Sequence, residues 1–351
     1  MKLKEKIKAE AKALGFVLCG VAAPISPPHY GQYLEWLSEG CHADMRYMAR
    51  PAAIEAREYP HKLLPEVRSI LCLGIPYPPP AKGCAAEQGK VQGSIAAYAV
   101  LADYHVEIKG RLAMLQQRIE NLAGRRVSSF AGVDTAPILE KDYAQMAGLG
   151  QIGTNSCLIN PVFGSWVFLA ELLLDLPLEP DYPITSNACQ NCQRCMMACP
   201  TKALRPNRSV DARLCLSYVT IEHRGAIPEG LRTALGTRIF GCDVCQAVCP
   251  ANQAARPEGF QTISSPILPS HPDLLQEFAL SEEEFKAKYA LTPVLRANFQ
   301  GFRRNIALAL GNSRSTEALE ALQLARESEK DAVVLESIEW AIQNLARAKG
   351  F

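Results

Sequence analysis

The sequence has no uninterrupted apolar run long enough to cross a membrane, no dominant charge and no familiar nucleotide motif, and each absence removes a class of function. Its most apolar stretch, Ser165 to Leu174, is broken by Glu171 and followed by Asp175. A bilayer-spanning helix needs about 20 apolar residues. The opening MKLKEKIKAEAKALGF places Lys or Glu at nearly every second position and lacks the apolar core of a secretory signal. Leu3, Ile7, Ala11 and Leu14 mark the inner stripe of an amphipathic helix instead. A formal net charge of +1 gives bulk electrostatics no say for or against nucleic acid. There is no G-x-G-x-x-G between a strand and a helix, no Walker A loop and no HExxH zinc motif. The six histidines are dispersed, and no tract is of low complexity. A soluble cytoplasmic protein, monomeric and without a membrane partner, is the expectation.

What is present begins with 13 cysteines in 351 residues. Disulfides are rare in a reducing cytosol, so clustered cysteines there bind metal or do redox chemistry. Cys189-x2-Cys192-x2-Cys195-x3-Cys199-Pro200 is the bacterial ferredoxin run, whose fourth cysteine serves a second cluster. A second run, Cys242-x2-Cys245-x3-Cys249-Pro250, lacks its first cysteine, and Cys215 is the replacement. The crossed pattern assigns Cys189, Cys192, Cys195 and Cys249 to one [4Fe–4S] cluster, and Cys199, Cys215, Cys242 and Cys245 to the other. CxxC pairs also hold zinc, but zinc sites are seldom built from this run twice over. Cys19 and Cys72 sit in apolar runs as buried small hydrophobes. Cys41 and Cys84 are scattered, and Cys157 could face a ligand.

The chain reads as a mixed α+β and α/β protein of three parts. Residues 1–180 alternate strand-like runs at Phe16–Val21, Ser69–Ile75 and Val127–Phe130 with helical stretches at 1–14, 103–123 and 136–147. Pro76 to Pro80 is a rigid connector that excludes a central strand. Gly148, Gly150, Gly153 and Gly164 suit either tight turns or close approach to a ligand. Residues 181–260 form the bacterial ferredoxin-like two-cluster module. From residue 275 to 351 the pattern is helical (Ser281–Tyr289, Phe302–Leu310, Ser315–Ser328, Asp331–Arg347) and resembles a HEAT-like pair.

More specific segments follow. Gly132-Val133-Asp134-Thr135-Ala136-Pro137-Ile138-Leu139-Glu140, Ala147-Gly148-Leu149-Gly150, Gly153-Thr154-Asn155 and Gly164-Ser165 precede the cysteine runs. Cys215-Leu216-Ser217-Tyr218 sits between those runs, and Tyr98 and Asp103-Tyr104-His105 lie upstream. Gly241-Cys242-Asp243-x-Cys245-Gln246 and Arg303-Arg304-Asn305 complete the series. In this order they resemble the epoxyqueuosine reductase family over nearly the whole chain, although Gln151 and Thr154 depart from its commoner residues.

That resemblance implies an oxidoreductase that reduces the epoxide of epoxyqueuosine at the wobble position of tRNA, in queuosine biosynthesis. It implies cobalamin in the N-terminal domain, two [4Fe–4S] clusters, and an external low-potential electron donor. It implies Asp134 as proton donor, with a pKa well above the ordinary value of about 3.9. From residue type alone, Asp134 is a helix N-cap. The resemblance also points to Arg57, Tyr98, Asp134, Cys157, Ser217, Cys242 and Asp243 around cobalamin, although Arg57 could equally be a surface salt-bridge residue. For tRNA, residues 200–256 carry eight Lys or Arg against four acids. Arg224, with Arg303 and Arg304 of the helical tail, is the expected contact set. A reductive dehalogenase-like reductase of a small molecule is the alternative, and a plain electron carrier is disfavoured by the 180 residues ahead of the module.

Overall fold

The computed structural model describes residues 2–80, 90–184, 189–255, 263 and 265–348. Its first unit contains α1 (Leu3–Ala13), β1 (Leu18–Ala22), β2 (Ser69–Pro76), α2 (Tyr104–Ala123), β3 (Ser129–Gly132), α3 (Glu140–Met146) and β4 (Val167–Leu174). The four strands form one sheet in the order β1-β2-β4-β3, with every neighbouring pair antiparallel. All eight residues of β2 are buried because the sheet is covered on both faces. Leu71, Leu73 and Ile75 pack with Ile7 and Ala11 of α1 and with Ile108, Leu112 and Leu115 of α2. Ile70 and Cys72 face the other way, onto Tyr143 and Ala144 of α3. A strand buried on both faces reads as a continuous apolar run rather than an alternation.

The apolar stretch too short and too charged to span a bilayer is β4, a central strand whose Leu172 and Leu173 are fully buried. Two sequence expectations need correction. Pro76 does not exclude a central strand: it is the last residue of β2 and stands opposite Val167. Proline is tolerated at a strand's end, where no further ladder bond is required of it. The helix expected from residue 136 starts at Glu140, and its N-cap is Leu139 rather than Asp134. Tight turns at Val133–Thr135 and Ala136–Ile138 hold the intervening loop off the helix.

Among the described residues, no helix is long and apolar enough to cross a membrane. The Gly148–Gly164 glycines face the chain itself. At Gly164, with φ +64°, a Cβ would lie 2.1 Å from Asn252 Oδ1, and at Gly148, with φ +77°, one would lie 2.6 Å from the Tyr182 carbonyl.

The cysteine-bearing region contributes α4 (Arg194–Ala198), α5 (Leu216–Ile221) and α6 (Val244–Ala247). The tail follows with α7 (Glu282–Tyr289), α8 (Asn298–Asn312), α9 (Thr316–Ser328) and α10 (Ala332–Ala348). Local signals set these starts. Ser281 and Glu284 form a capping box at α7, and Ser315 caps α9. The tail shares its core with the preceding region: Ile306 and Leu310 of α8 pack with Val219, Ile239 and Phe240.

Arg304 is the pin between the two. It is 0 % exposed and donates to the carbonyls of Val219, His223 and Gly225 and to Asn305 Oδ1. Asn305 in turn donates to the Thr220 and Ile239 carbonyls. The expected contact of Arg304 with tRNA is therefore excluded, because its guanidinium is enclosed and fully used inside the fold. Removing those donors strands several buried carbonyls, so Arg304→Ala should lower the unfolding free energy by about 3 kcal/mol. Denaturant titration checks this, and a loss below about 1 kcal/mol would show that the carbonyls find other partners.

Candidate active site

The first cysteine run meets the last cysteine of the second. Cys189, Cys192 and Cys195 line one hollow together with Cys249 and Pro250 from the far end of the second run. Cys249 thus crosses over to the first run. Among Cys199, Cys215, Cys242 and Cys245, the Cys215 and Cys242 thiols each feel the charge of Cys199, and Cys245 feels those of Cys215 and Cys242. Cys199 also accepts the Ala203 N–H at 3.3 Å. Burial alone would raise its pKa, but N–H groups of Thr201, Ala203 and Leu204 outweigh that and hold the thiol below its ordinary value. Such donors favour the thiolate that a cluster requires. Among the described residues no three His, Cys, Asp or Glu side chains converge closely enough to grip a single ion. Thiolates around a hollow suit the corners of an iron–sulfur cube.

A cleft opens where the sheet meets this module. Val167, Phe168 and Leu169 of β4 form one wall, Cys157 and Ser165 another, and Gln246 of α6 closes it. Ser165 stitches the seam: its Oγ donates to Gln246 Oε1 at 2.8 Å, and its N–H donates to Asn252 Oδ1 at 2.6 Å. Cys157 lines the cleft as anticipated, and burial pushes its thiol up to about 11.

Asp134 lies at the rim with its side chain 58 % exposed and φ +52°. The left-handed backbone is one that Asp tolerates better than most side chains, and it turns the carboxylate back toward α2. Tyr104 donates its hydroxyl to Asp134 Oδ2 at 3.1 Å, and His105 Nε2 stands 3.4 Å from the same oxygen. Asp103 caps α2 by accepting the His105 N–H, and it also faces His105 Nδ1 at 2.8 Å. With both ring nitrogens toward carboxylates, His105 is biased toward its doubly protonated form. The Asp134 contact, against the opposing effect of burial, raises its pKa above 6.5. For Asp134, burial alone would raise the pKa, but His105 and Tyr104 outweigh it and hold the carboxyl below 3.8. The anticipated elevated pKa of Asp134 is thus corrected: in this arrangement the shared proton sits on His105.

The remaining expected residues divide. Asp243 accepts the Ala97 N–H at 2.7 Å, and burial pushes its carboxyl up to about 6. Tyr98 packs edge-on to Tyr104, with ring centroids 6.3 Å apart. Ser217 is half-buried in α5, outside the residues that line the cleft. Arg57 is not a surface salt-bridge residue: it is 6 % exposed and lies over the Tyr33 ring at 5.4 Å. Its Nη1 donates to the Ala53 carbonyl, while Nε finds no partner among the described residues.

Much of the basic surface is already engaged. Arg205 pairs with Glu39, Arg213 with Asp211 and Arg232 with Glu336. Two of those three acids lie outside the 200–256 count. Arg224 donates to the Ile221, Arg296 and Ala297 carbonyls. Arg303 pairs with Glu329 at 2.8 Å and stacks on Phe278. Arg256 and Cys84 lie outside the described residues.

The sequence reading gave no role to Tyr104, His105, Glu140, Lys141 or Gln246, although all but Lys141 stood inside its quoted segments. Their clustering was the missing signal.

These features define a class, a two-cluster iron–sulfur redox protein with an open cleft beside its clusters. A family model described as a 4Fe-4S double cluster binding domain matches residues 188–252. Another, described as epoxyqueuosine reductase QueG, DUF1730, matches residues 57–135. The epoxyqueuosine reductase of Pseudomonas aeruginosa is 38 % identical over 344 residues, covering 97 % of this chain and 94 % of that protein. The structure of epoxyqueuosine reductase from Streptococcus thermophilus superimposes with a TM-score of 0.89 at 26 % identity, covering 99 % of this chain and 91 % of that one. A crystal structure of epoxyqueuosine reductase with an epoxyqueuosine-modified tRNA-Tyr stem loop has a TM-score of 0.85 at 27 % identity, covering 98 % and 99 %. The chain belongs to the epoxyqueuosine reductase family.

The His105–Asp134 contact has a defined pH signature. His105, raised in the fold, contributes stability that is complete below 6.5 and is lost as pH rises through its folded pKa. Asp134, depressed in the fold, contributes stability present above 3.8 and lost as pH falls through its folded pKa. The pair is fully effective between those values. In NMR titrations His105 should titrate above 6.5, and Asp134→Asn should lower that value while leaving the smaller effect of Asp103. An unchanged titration in the variant would dissociate the two groups.

Proposed function

We propose that this chain reduces the epoxide of epoxyqueuosine in tRNA to queuosine, with two [4Fe–4S] clusters feeding electrons to a cobalamin in the cleft. The observation that carries this reading is Asp134, presented by a left-handed turn at the mouth of a cleft whose far wall belongs to the cluster module. Opening an epoxide to an alkene consumes two electrons and two protons and releases water. Clusters deliver electrons singly at potentials as low as about −700 mV.

The cleft suits a corrin. The stacked rings of Tyr104 and Phe168, with Leu158 and Val167, give the cleft an apolar lining. Arg57, whose charge reaches the cleft-lining Glu140, has its Nε buried without a partner among the described residues, as a ring edged with amide arms would require. Cobalamin would supply a strongly reducing cobalt centre for the carbon–oxygen cleavage. Cys157, Tyr98, Asp243, Cys242 and Ser217 are the remaining candidates for its surroundings.

Asp134 and His105 together hold the proton. A substrate covering the exposed Asp134 carboxylate strips its water and raises its affinity for that proton. The proton then passes from His105 through Asp134 to the departing oxygen.

The domains proposed are residues 1–180 for the cofactor, 181–260 for the clusters and 275–351 as a HEAT-like helical region. For tRNA, Arg224 and Arg303 remain candidates that act through the loops they hold. Arg296, half exposed against Tyr47 and facing Asp134, joins them.

Two measurements test this. Anaerobically reconstituted protein should contain about eight irons, four in each of two clusters. Cys249→Ala and Cys189→Ala should remove the same cluster by paramagnetic resonance, whereas Cys199→Ala and Cys215→Ala remove the other. Asp134→Asn should keep both clusters and bound cobalamin but lose at least about 100-fold in epoxide reduction. That loss is read by digesting the tRNA and weighing its nucleosides. Near-normal turnover would remove Asp134 from the mechanism.

A further inference from the structure

Beneath the loop that presents Asp134 lies a second carboxyl pair that the reading above does not use. Glu140, the first residue of α3, lines the same cleft as Asp134, and its carboxylate is met by the Asp134 backbone N–H. Glu140 thus ties the Asp134 turn to the start of α3. Under it sits Glu171, in the middle of β4. Its side chain is 1 % exposed, and its Oε1 has no hydrogen-bond partner among the described residues. A Cβ at Gly132 would stand 3.4 Å from Glu171 Oε2, so the carboxyl lies directly against the loop's base.

The groups that face Glu171 are all potentially anionic. Glu140 comes from α3, Asp134 from the loop, and Cys72 from β2, opposite Glu171 in the sheet register. Leu169 and Leu173, two residues away on the same face of β4, are buried hydrophobes. Glu140 is faced by Asp134 and Glu171 and, from the cationic side, by Lys141 and Arg57. An isolated carboxylate enclosed by acids and aliphatics cannot stay ionised and binds a proton instead. A buried carboxyl without a partner is also costly to the fold, and chemistry is one reason to retain it.

We propose that Glu140 and Glu171 form a proton relay behind Asp134, supplying the second proton of each turnover. The inference rests on the epoxide-reduction reading. Each cycle takes two electrons, delivered through the clusters by an external one-electron donor, and two protons. Asp134 hands the proton it draws from His105 to the departing oxygen, forming one O–H bond there. Glu140 then passes its carboxyl proton to the Asp134 carboxylate, which delivers it to the same oxygen so that it leaves as water. Glu171 replenishes Glu140, and solvent entering the cleft refills the pair through Glu140. Burial pushes Glu140 up to about 7 and Glu171 well above the carboxylate range, so Glu171 is loaded at neutral pH and Glu140 becomes fully loaded below it. The relay empties as pH rises through the Glu140 value. Glu140 is a positioning residue as well, because its carboxylate orients the loop.

The test uses the full chain with both clusters. In infrared difference spectra, wild-type protein should show a carboxylic-acid carbonyl band that persists far above the ordinary glutamate pKa of about 4.3. Glu171→Gln should abolish the part of that band that survives above about pH 7, where Glu140 has lost its proton. On the epoxyqueuosine stem loop, Glu140→Gln, whose amide oxygen still accepts the Asp134 N–H, should lose at least about 10-fold in kcat. Its KM should be unchanged, the wild-type decline in rate near pH 7 should flatten, and Glu140→Asp should recover part of the loss.

A wild-type spectrum with no persistent band, or a band untouched by Glu171→Gln, overturns the shared proton. Wild-type kcat in Glu140→Gln overturns the relay, and so does a raised KM with the wild-type pH profile, which would make Glu140 a loop support only. Failure of the wild-type enzyme itself to reduce epoxyqueuosine would refute the underlying function, while the infrared result still decides where the proton sits.

Discussion

The seam at Ser165 is the interaction on which the rest depends. One hydroxyl and one backbone N–H tie the start of β4 to Gln246 and Asn252, either side of the last cluster cysteine. The cleft lies where this seam holds the sheet and the cysteine module together. Gly164 makes the approach possible, since any side chain at that position would occupy the space of Asn252. A small shift across this seam would change both the distance that electrons travel and the wall against which a cofactor rests. Hydrogen bonds buried in such a joint are costly to break, because each unpaired partner would be left without water.

Around that seam the charges are arranged by depth. Cations that could have formed an open basic face are largely consumed by Glu39, Asp211, Glu222, Glu329 and Glu336. Close to the cleft the pattern reverses, and acids accumulate with few partners. Asp134 is balanced by a histidine, Glu140 by a lysine and an arginine at longer range, and Glu171 by nothing charged of opposite sign. The three carboxyls therefore differ in proton affinity by environment alone. Such divergence between neighbouring groups is how one residue type takes several acid–base roles.

How much of this was legible depends on the range of the interaction. The cysteine motifs could be read in advance because ligand spacing is local, and the meeting of Cys249 with the first run follows from the run's own pattern. The capped starts of α2, α7 and α9 were equally local, since Asp103, Ser281 and Ser315 each satisfy N–H groups within three residues. Asp134 was identifiable as a site residue by resemblance, but its protonation was not. That depends on His105, 29 positions earlier in the chain, being turned toward it by Asp103.

The sequence by itself determined the redox class of the protein, its family and the positions of its longest helices, because all of these are written in short-range spacing. Tertiary structure alone decided that β4 is a buried strand, that Arg304 is an internal pin rather than a tRNA contact, and that Glu171 is an enclosed acid beneath Asp134. The physical reason is that burial and electrostatic partnership are set by residues far apart in sequence. A side chain's charge state follows from what folds over it, and no local pattern encodes that.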